Sequence, residues 1–247
     1  MFSAKGWCGM NRMFVSPWLS VSPSGPVTCA RPHAHEYVHL RQGEMDGACG
    51  PYCVVMTLIA LGVMSRDQAQ SLGSFDGRTR LGRFAEKLMG FGPLVSNGTY
   101  DYEVSRLVDV FKHTGVETEV LDVAPRRKTT VRNIADAVDN RKIPIVSVAW
   151  DCGQAHWLLV VGYQGYQADD DDEFQITHLL CLDPTSEAPR VSLWNAVIEV
   201  FTEAGAAVSE GRYYCRHWGP NDPPAACRID QSVVVGLDKK AESNYFY

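Results

Sequence analysis

Hydrophobic and polar positions change period once along the chain. From Gly50 to about Val138 the apolar residues recur mostly at helical spacing, and from Ile143 onward they come in short blocks of strand length. Gly50–Leu61 is apolar nearly all round and predicts a buried central helix. Ser65 reads as the N-cap of a short helix to about Leu72. A further helix over Thr79–Met89 closes at the Gly-Phe-Gly-Pro turn. Val104, Leu107, Val108 and Phe111 form the stripe of an amphipathic helix over Asp101–Thr114, with Gly115 as its stop. After a strand over Val116–Val123, Thr129 or Thr130 is expected to cap a helix carrying Val131, Ile134, Ala135 and Val138. Ile143–Trp150, His156–Tyr163 and Phe174–Leu182 then read as strands. Ser192 is expected to cap a helix with Trp194, Val197, Ile198 and Phe201 on one face. Two last strands follow, Arg212–Trp218 and Ser232–Leu237, separated by the turn-rich Gly219–Ala226. Helices first and strands second predict an α+β fold whose two halves share one interface.

The remaining segments add less. Residues 1–36 hold turn formers and aromatics without clear periodicity and are expected to be a loosely structured arm before a domain at 37–247. The apolar part of this arm is interrupted by Ser16, Pro17 and Ser20, which makes it a poor signal peptide. Gln164–Glu173 carries five consecutive acidic residues, which repel one another and stay solvated, so it is expected to be a hairpin tip. Cys29, His33 and His35 lie close together, but their spacing is not that of a zinc site, and they read as surface residues. No metal or cofactor is expected.

Composition bounds the function. Of 247 residues, 45% are hydrophobic and 21% charged, the balance of an ordinary globular protein. A formal charge of −6 with a single basic run, Arg126-Arg127-Lys128, argues against nucleic acid as a partner. No apolar run reaches the roughly 20 residues that span a bilayer, so no membrane partner is expected. Eight cysteines scattered over the chain suit reduced thiols, and a cytoplasmic location is the corresponding expectation.

One stretch carries chemistry. Proline is tolerated in the first turn of a helix and not in its interior, so Pro51 sets the start of the Gly50–Leu61 helix and puts Cys49 at or just before its N-terminus. There the unpaired N–H groups and the helix dipole favour a thiolate. Cys53, one turn on, reads as a small buried hydrophobe. A nucleophilic cysteine needs a base, a group that orients the base, and donors for the oxyanion. His156 stands at the start of an apolar strand, and Trp150 and Trp157 beside it read as core. If the acidic hairpin turns near Ala168–Asp169, His156 falls opposite Cys181 and Asp183 becomes its diagonal neighbour. By the same parity, His178 points away from Asp183.

RQGEMDGACGPYC, AHWLLVVGY and CLDP, in that order, resemble a papain-like cysteine peptidase over roughly Arg41–Val197. The nearest branch holds the bacteriocin-processing (double-glycine leader) peptidase domains of bacterial exporters and their free-standing relatives. The resemblance implies a Cys49-His156-Asp183 triad, with Gln42 and the Cys49 N–H holding the oxyanion, and a helical half packed on an antiparallel barrel. The gap from Gln42 to Cys49 is one residue longer than the pattern, and because these 247 residues show no transmembrane or ATPase portion, a secretion-leader peptidase is not the expectation. The expected partner is a peptide or protein substrate. The same residues are compatible with deamidase, transglutaminase or amidohydrolase chemistry, and the fold with a catalytically silent binding module.

Overall fold

The computed structural model describes residues 10–43, 48–90, 98–123, 127–150, 153–167, 173–202, 205–208, 211–220 and 223–246. The four aspartates at 169–172, the 91–93 part of the Gly-Phe-Gly-Pro turn and Met45 to Gly47 lie outside them.

Three short strands open the fold: β1 (Met10–Val15), β2 (Leu19–Ser22) and β3 (Gly25–Thr28). Helices α1 (Cys49–Ala60), α2 (Arg66–Gln70), α3 (Arg80–Met89) and α4 (Asp101–Val108) follow, then β4 (Val116–Leu121) and α5 (Arg127–Asp139). The second half is β5 (Ile143–Ala149), β6 (Ala155–Gln167), β7 (Gln175–Leu182), β8 (Ala196–Glu199), β9 (Cys215–Trp218) and β10 (Ala225–Leu237), ending in α6 (Lys239–Phe246). Strands β5 to β10 pair antiparallel in the order β6-β5-β10-β9-β8-β7, and β7 pairs back to β6, so six strands close into a barrel. Strand β1 adds to the outer edge of β6, and β4 to β10.

The barrel wall separates two cores. On one side, Ile143, Ile145, Trp157, Leu159, Val161, Leu180, Leu182, Val233 and Val235 pack with α1. On the other, Val146, Val148, Leu158, Val160, Leu179, Cys181, Ile198 and Ile229 pack together and against Val131 and Ile134 of α5. Successive side chains of a strand point to opposite faces. Because both faces are buried, these strands read in the sequence as unbroken apolar runs instead of alternating ones. Helix α1 is enclosed in the first core: every residue but Tyr52 is buried, and Met56, Leu58 and Ile59 are fully so. Each such side chain contributes about 1.5–3 kcal/mol by leaving water. Among the described residues no helix is long and apolar enough to cross a membrane.

Several expected elements are corrected. No helix follows Ser192. Ala196 and Ile198 are buried while Val197 and Glu199 are less so, a period of two, and pairing with β7 and β9 makes the segment β8. The Asp101–Thr114 helix is α-helical only to Val108 and tightens to a 3₁₀ helix over Asp109–Thr114, ended by Gly115 at φ 85°. Thr129 and Thr130 lie inside a helix that already runs from Arg127. Residues 10–28 are not a loose arm. Val15 and Gly162 are register partners, and Trp18 is fully buried with its indole N–H donating to the Arg141 carbonyl at 2.6 Å. A Cβ on Gly162 would sit 2.4 Å from the Phe14 carbonyl oxygen, so the approach of β1 needs glycine there. Ser65 does cap α2, in a capping box with Gln68.

Candidate functional site

Cys49 is the first residue of α1, with Gly50 and Pro51 completing the opening turn. The preceding Ala48 offers no side-chain cap, so the end of the helix is left to backbone groups. Gly50 is there because its surroundings leave no room for a side chain. A Cβ would lie 2.1 Å from Thr99 Oγ1, 3.1 Å from Trp157 Cδ1 and 3.2 Å from Val104 Cγ2. The same Trp157 donates its indole N–H to the Thr99 carbonyl at 2.9 Å. Its backbone N–H is directed at Cys49 Sγ at 3.5 Å. The start of β6 is thereby held against the start of α1, and His156, the neighbour of Trp157, is brought to the sulfur.

His156 Nε2 lies 2.8 Å from Asp183 Oδ1. The side chains are 13% and 4% exposed, so the pair is largely out of water. With Nε2 on the carboxylate, Nδ1 is the nitrogen left for Cys49, which also hydrogen-bonds the ring. Burial by itself disfavours the imidazolium, but the bonds to Asp183 and Cys49 outweigh it and raise His156 to about 10. Burial likewise disfavours the Asp183 carboxylate, and the bonds from His156 and Thr185 reverse this, holding it down at about 2. Thr185 donates to Oδ1 through both its backbone N–H (2.8 Å) and its hydroxyl (2.6 Å), the bonding of an Asx turn at Asp-Pro-Thr.

The other carboxylate oxygen faces a second histidine, with His217 Nε2 3.8 Å from Oδ2. The Trp150 ring covers both imidazoles, stacked on His156 at 6.4 Å between centroids and edge-on to His217 at 5.6 Å. Trp157 is core, as expected, whereas Trp150 is only partly buried and walls this group. Cys53 is fully buried, and burial pushes its thiol well up, as befits a packing residue.

Gln42 is also buried. Its backbone N–H donates to the Pro184 carbonyl at 2.6 Å, which fixes it beside the turn that carries Asp183. The chain between Gln42 and Cys49 includes residues 44–47, outside the described set.

The structure thus joins Cys49, His156 and Asp183 as the sequence reading expects, but not by the register it assumes. Cys181 pairs with Val160, not with His156, and His156 pairs with Val148 on β5. Leu159 pairs with Leu182 and Tyr166 with Gln175, so the ladder lies four residues from the assumed one at both ends, and the bulges between Val160 and Gly162 and between Gln164 and Gly165 only shift it by one residue and back. Asp183 reaches His156 because it stands one residue past the end of β7, where the turn redirects it towards the start of β6. His178 contacts Thr177 and takes no part.

No family model and no curated protein matches this chain.

The site rests on its geometry. Sequence reasoning missed Thr185, His217, Thr99, His39 and Asn195. Of these only Thr185 had a local signal, the Asp-x-Thr turn pattern; the others arrive from distant parts of the chain. Among the described residues no three His, Cys, Asp or Glu side chains converge as a metal-binding group.

Proposed function

We propose that the protein is a papain-like thiol hydrolase that cleaves an amide bond in a peptide or protein. The observation that supports this most is the alignment of Cys49 at a helix start with a buried imidazole whose far nitrogen is held by a buried carboxylate. In this reading His156, protonated below its raised pKa, already holds the proton of Cys49 on Nδ1, and the Cys49 thiolate attacks the carbonyl carbon. The Cys49 N–H, which has no acceptor within its own helix, and the Gln42 amide hold the oxyanion. Collapse of the tetrahedral adduct breaks the C–N bond, and His156 returns the proton to the leaving amine. Water, deprotonated by His156, then hydrolyses the thioester. Asp183 keeps the ring in the tautomer and orientation these steps require.

Cys49→Ala and His156→Ala are expected to reduce turnover of a fluorogenic peptide library to background, with circular dichroism unchanged. Wild-type Cys49 should be labelled by a papain-class epoxide inhibitor. Normal turnover by both variants overturns the assignment. Product masses separate bond cleavage from a one-dalton deamidation or a conjugate, which the same acyl-thioester would give with another acceptor.

A further inference from the structure

We propose that Asn195 is the positioning residue of this site: its side-chain amide stands in for a missing backbone rung beside Asp183 and fixes the carboxylate against His156. The proposal rests on the triad reading above. The β7–β8 ladder reaches the pair Cys181–Ala196, and β7 itself ends at Leu182. Asp183 therefore has no partner strand to hold it. Asn195 is the residue just before β8, anchored by its own N–H to the Cys181 carbonyl at 3.0 Å. Its Oδ1 accepts the Asp183 N–H at 2.6 Å, and its Nδ2 donates to the Asp183 carbonyl at 3.0 Å. A carboxamide carries one acceptor and two donor hydrogens, and this orientation gives the Asp183 N–H an oxygen and the Asp183 and Glu187 carbonyls an N–H each. The amide thus does what a facing peptide group would do, one step beyond the end of the ladder.

Nδ2 also donates to the Glu187 carbonyl at 2.9 Å, so one side chain ties both ends of the 183–187 turn. His39 completes the clamp. Its Nε2 lies 3.0 Å from the Asp183 carbonyl, and burial holds the ring neutral, so Nε2–H serves as a donor there. The clamp acts on the backbone of Asp183, while His156 and Thr185 act on its carboxylate. Misplacement of such a group by about 1 Å costs on the order of a hundredfold in rate.

The test reads the ring that Asn195 acts through. In full-length protein with isotope-labelled histidines, NMR follows the His156 titration, assigned with His156→Gln. The wild-type midpoint is expected near 10. Asn195→Ala should lower it by about one pH unit or more, a tenfold loss in the imidazolium equilibrium. The same variant should slow iodoacetamide alkylation of Cys49 at neutral pH, read by peptide mass. Asn195→Ser, whose hydroxyl restores one bond, should fall between. A folded Asn195→Ala protein with wild-type titration and alkylation overturns the proposal. So does failure of both variants to fold, since that would make Asn195 a structural residue only. Because neither readout needs hydrolysis, loss of the peptidase reading and loss of this one are distinguishable.

Discussion

Replacing Asp183 with asparagine removes a charge from a buried pair while keeping the size of the side chain, and its cost should depend on pH with a defined shape. His156 has a folded pKa near 10 against an ordinary 6.5, so its share of the stability is fully present below pH 6.5 and is lost as pH rises towards 10. Asp183 has a folded pKa near 2 against an ordinary 3.8. Its share is present above pH 3.8 and is lost as pH falls through 2. The pair is therefore worth most between those ordinary values, at pH 3.8–6.5. Removing one partner of a buried pair typically costs about 3–5 kcal/mol, and the 4% exposure of Asp183 places it in that class. Asparagine can still accept the Nε2 hydrogen bond of a neutral imidazole, so the low end, about 3 kcal/mol, is expected at about pH 5.5.

The assay is urea unfolding of wild type and Asp183→Asn at about pH 3, 5.5 and 9.5, with the slope of the transition checked for constancy. The gap between the two should be largest at the middle value and shrink at both ends. A gap that does not vary with pH, or that widens towards pH 9.5, would refute the ion-pair account. The contact would then be a hydrogen bond whose strength does not depend on the charge of His156.

Two further substitutions address the placement of Cys49. Gly50→Ala puts a Cβ 2.1 Å from Thr99 Oγ1 and should destabilise by about 1–3 kcal/mol in thermal unfolding. It should also slow Cys49 alkylation, because the first turn of α1 must move. Met56→Ala leaves a cavity in a fully buried face of the same helix and should cost about 2–5 kcal/mol by urea unfolding.

How much of this was legible depended on whether the deciding contact was local. The start of α1 was readable because Pro51 is excluded from a helix interior, a rule that needs no tertiary information. The α+β order, α3 and β5–β7 followed from periodicity for the same reason. Segment 192–201 failed because Ala196 and Ile198, at i and i+2, sit among apolar residues that also fit a helical stripe. The barrel neighbours β7 and β9 decide between the two. Strands β1 to β3 carry no periodic signal, since β1 is exposed along its whole length and owes its form to pairing with β6. The His156–Asp183 contact was expected from a register four residues away from the real one, in which Val160 and not His156 faces Cys181. It survives because both residues lie at strand ends, where turns rather than the ladder set the positions.

The members of the proposed triad are held by different kinds of order. Cys49 heads a helix buried on nearly all sides, and His156 opens a strand buried on both faces, so apolar packing fixes each of them. Asp183 has neither support, because it lies beyond its ladder in a turn. A buried carboxylate without fixed donors is costly, and hydrogen bonds are the remaining means of holding it. They concentrate there: Thr185 on the carboxylate, Asn195 and His39 on the backbone, and His217 near the second oxygen. Thr185 and Asn195 would be silent in any reading of hydrophobic pattern, yet they set the geometry on which the raised pKa of His156 depends. Where packing ends, the polar network begins. Substitutions in the two cores should therefore change stability first, and those around Asp183 should change the titration of His156 first.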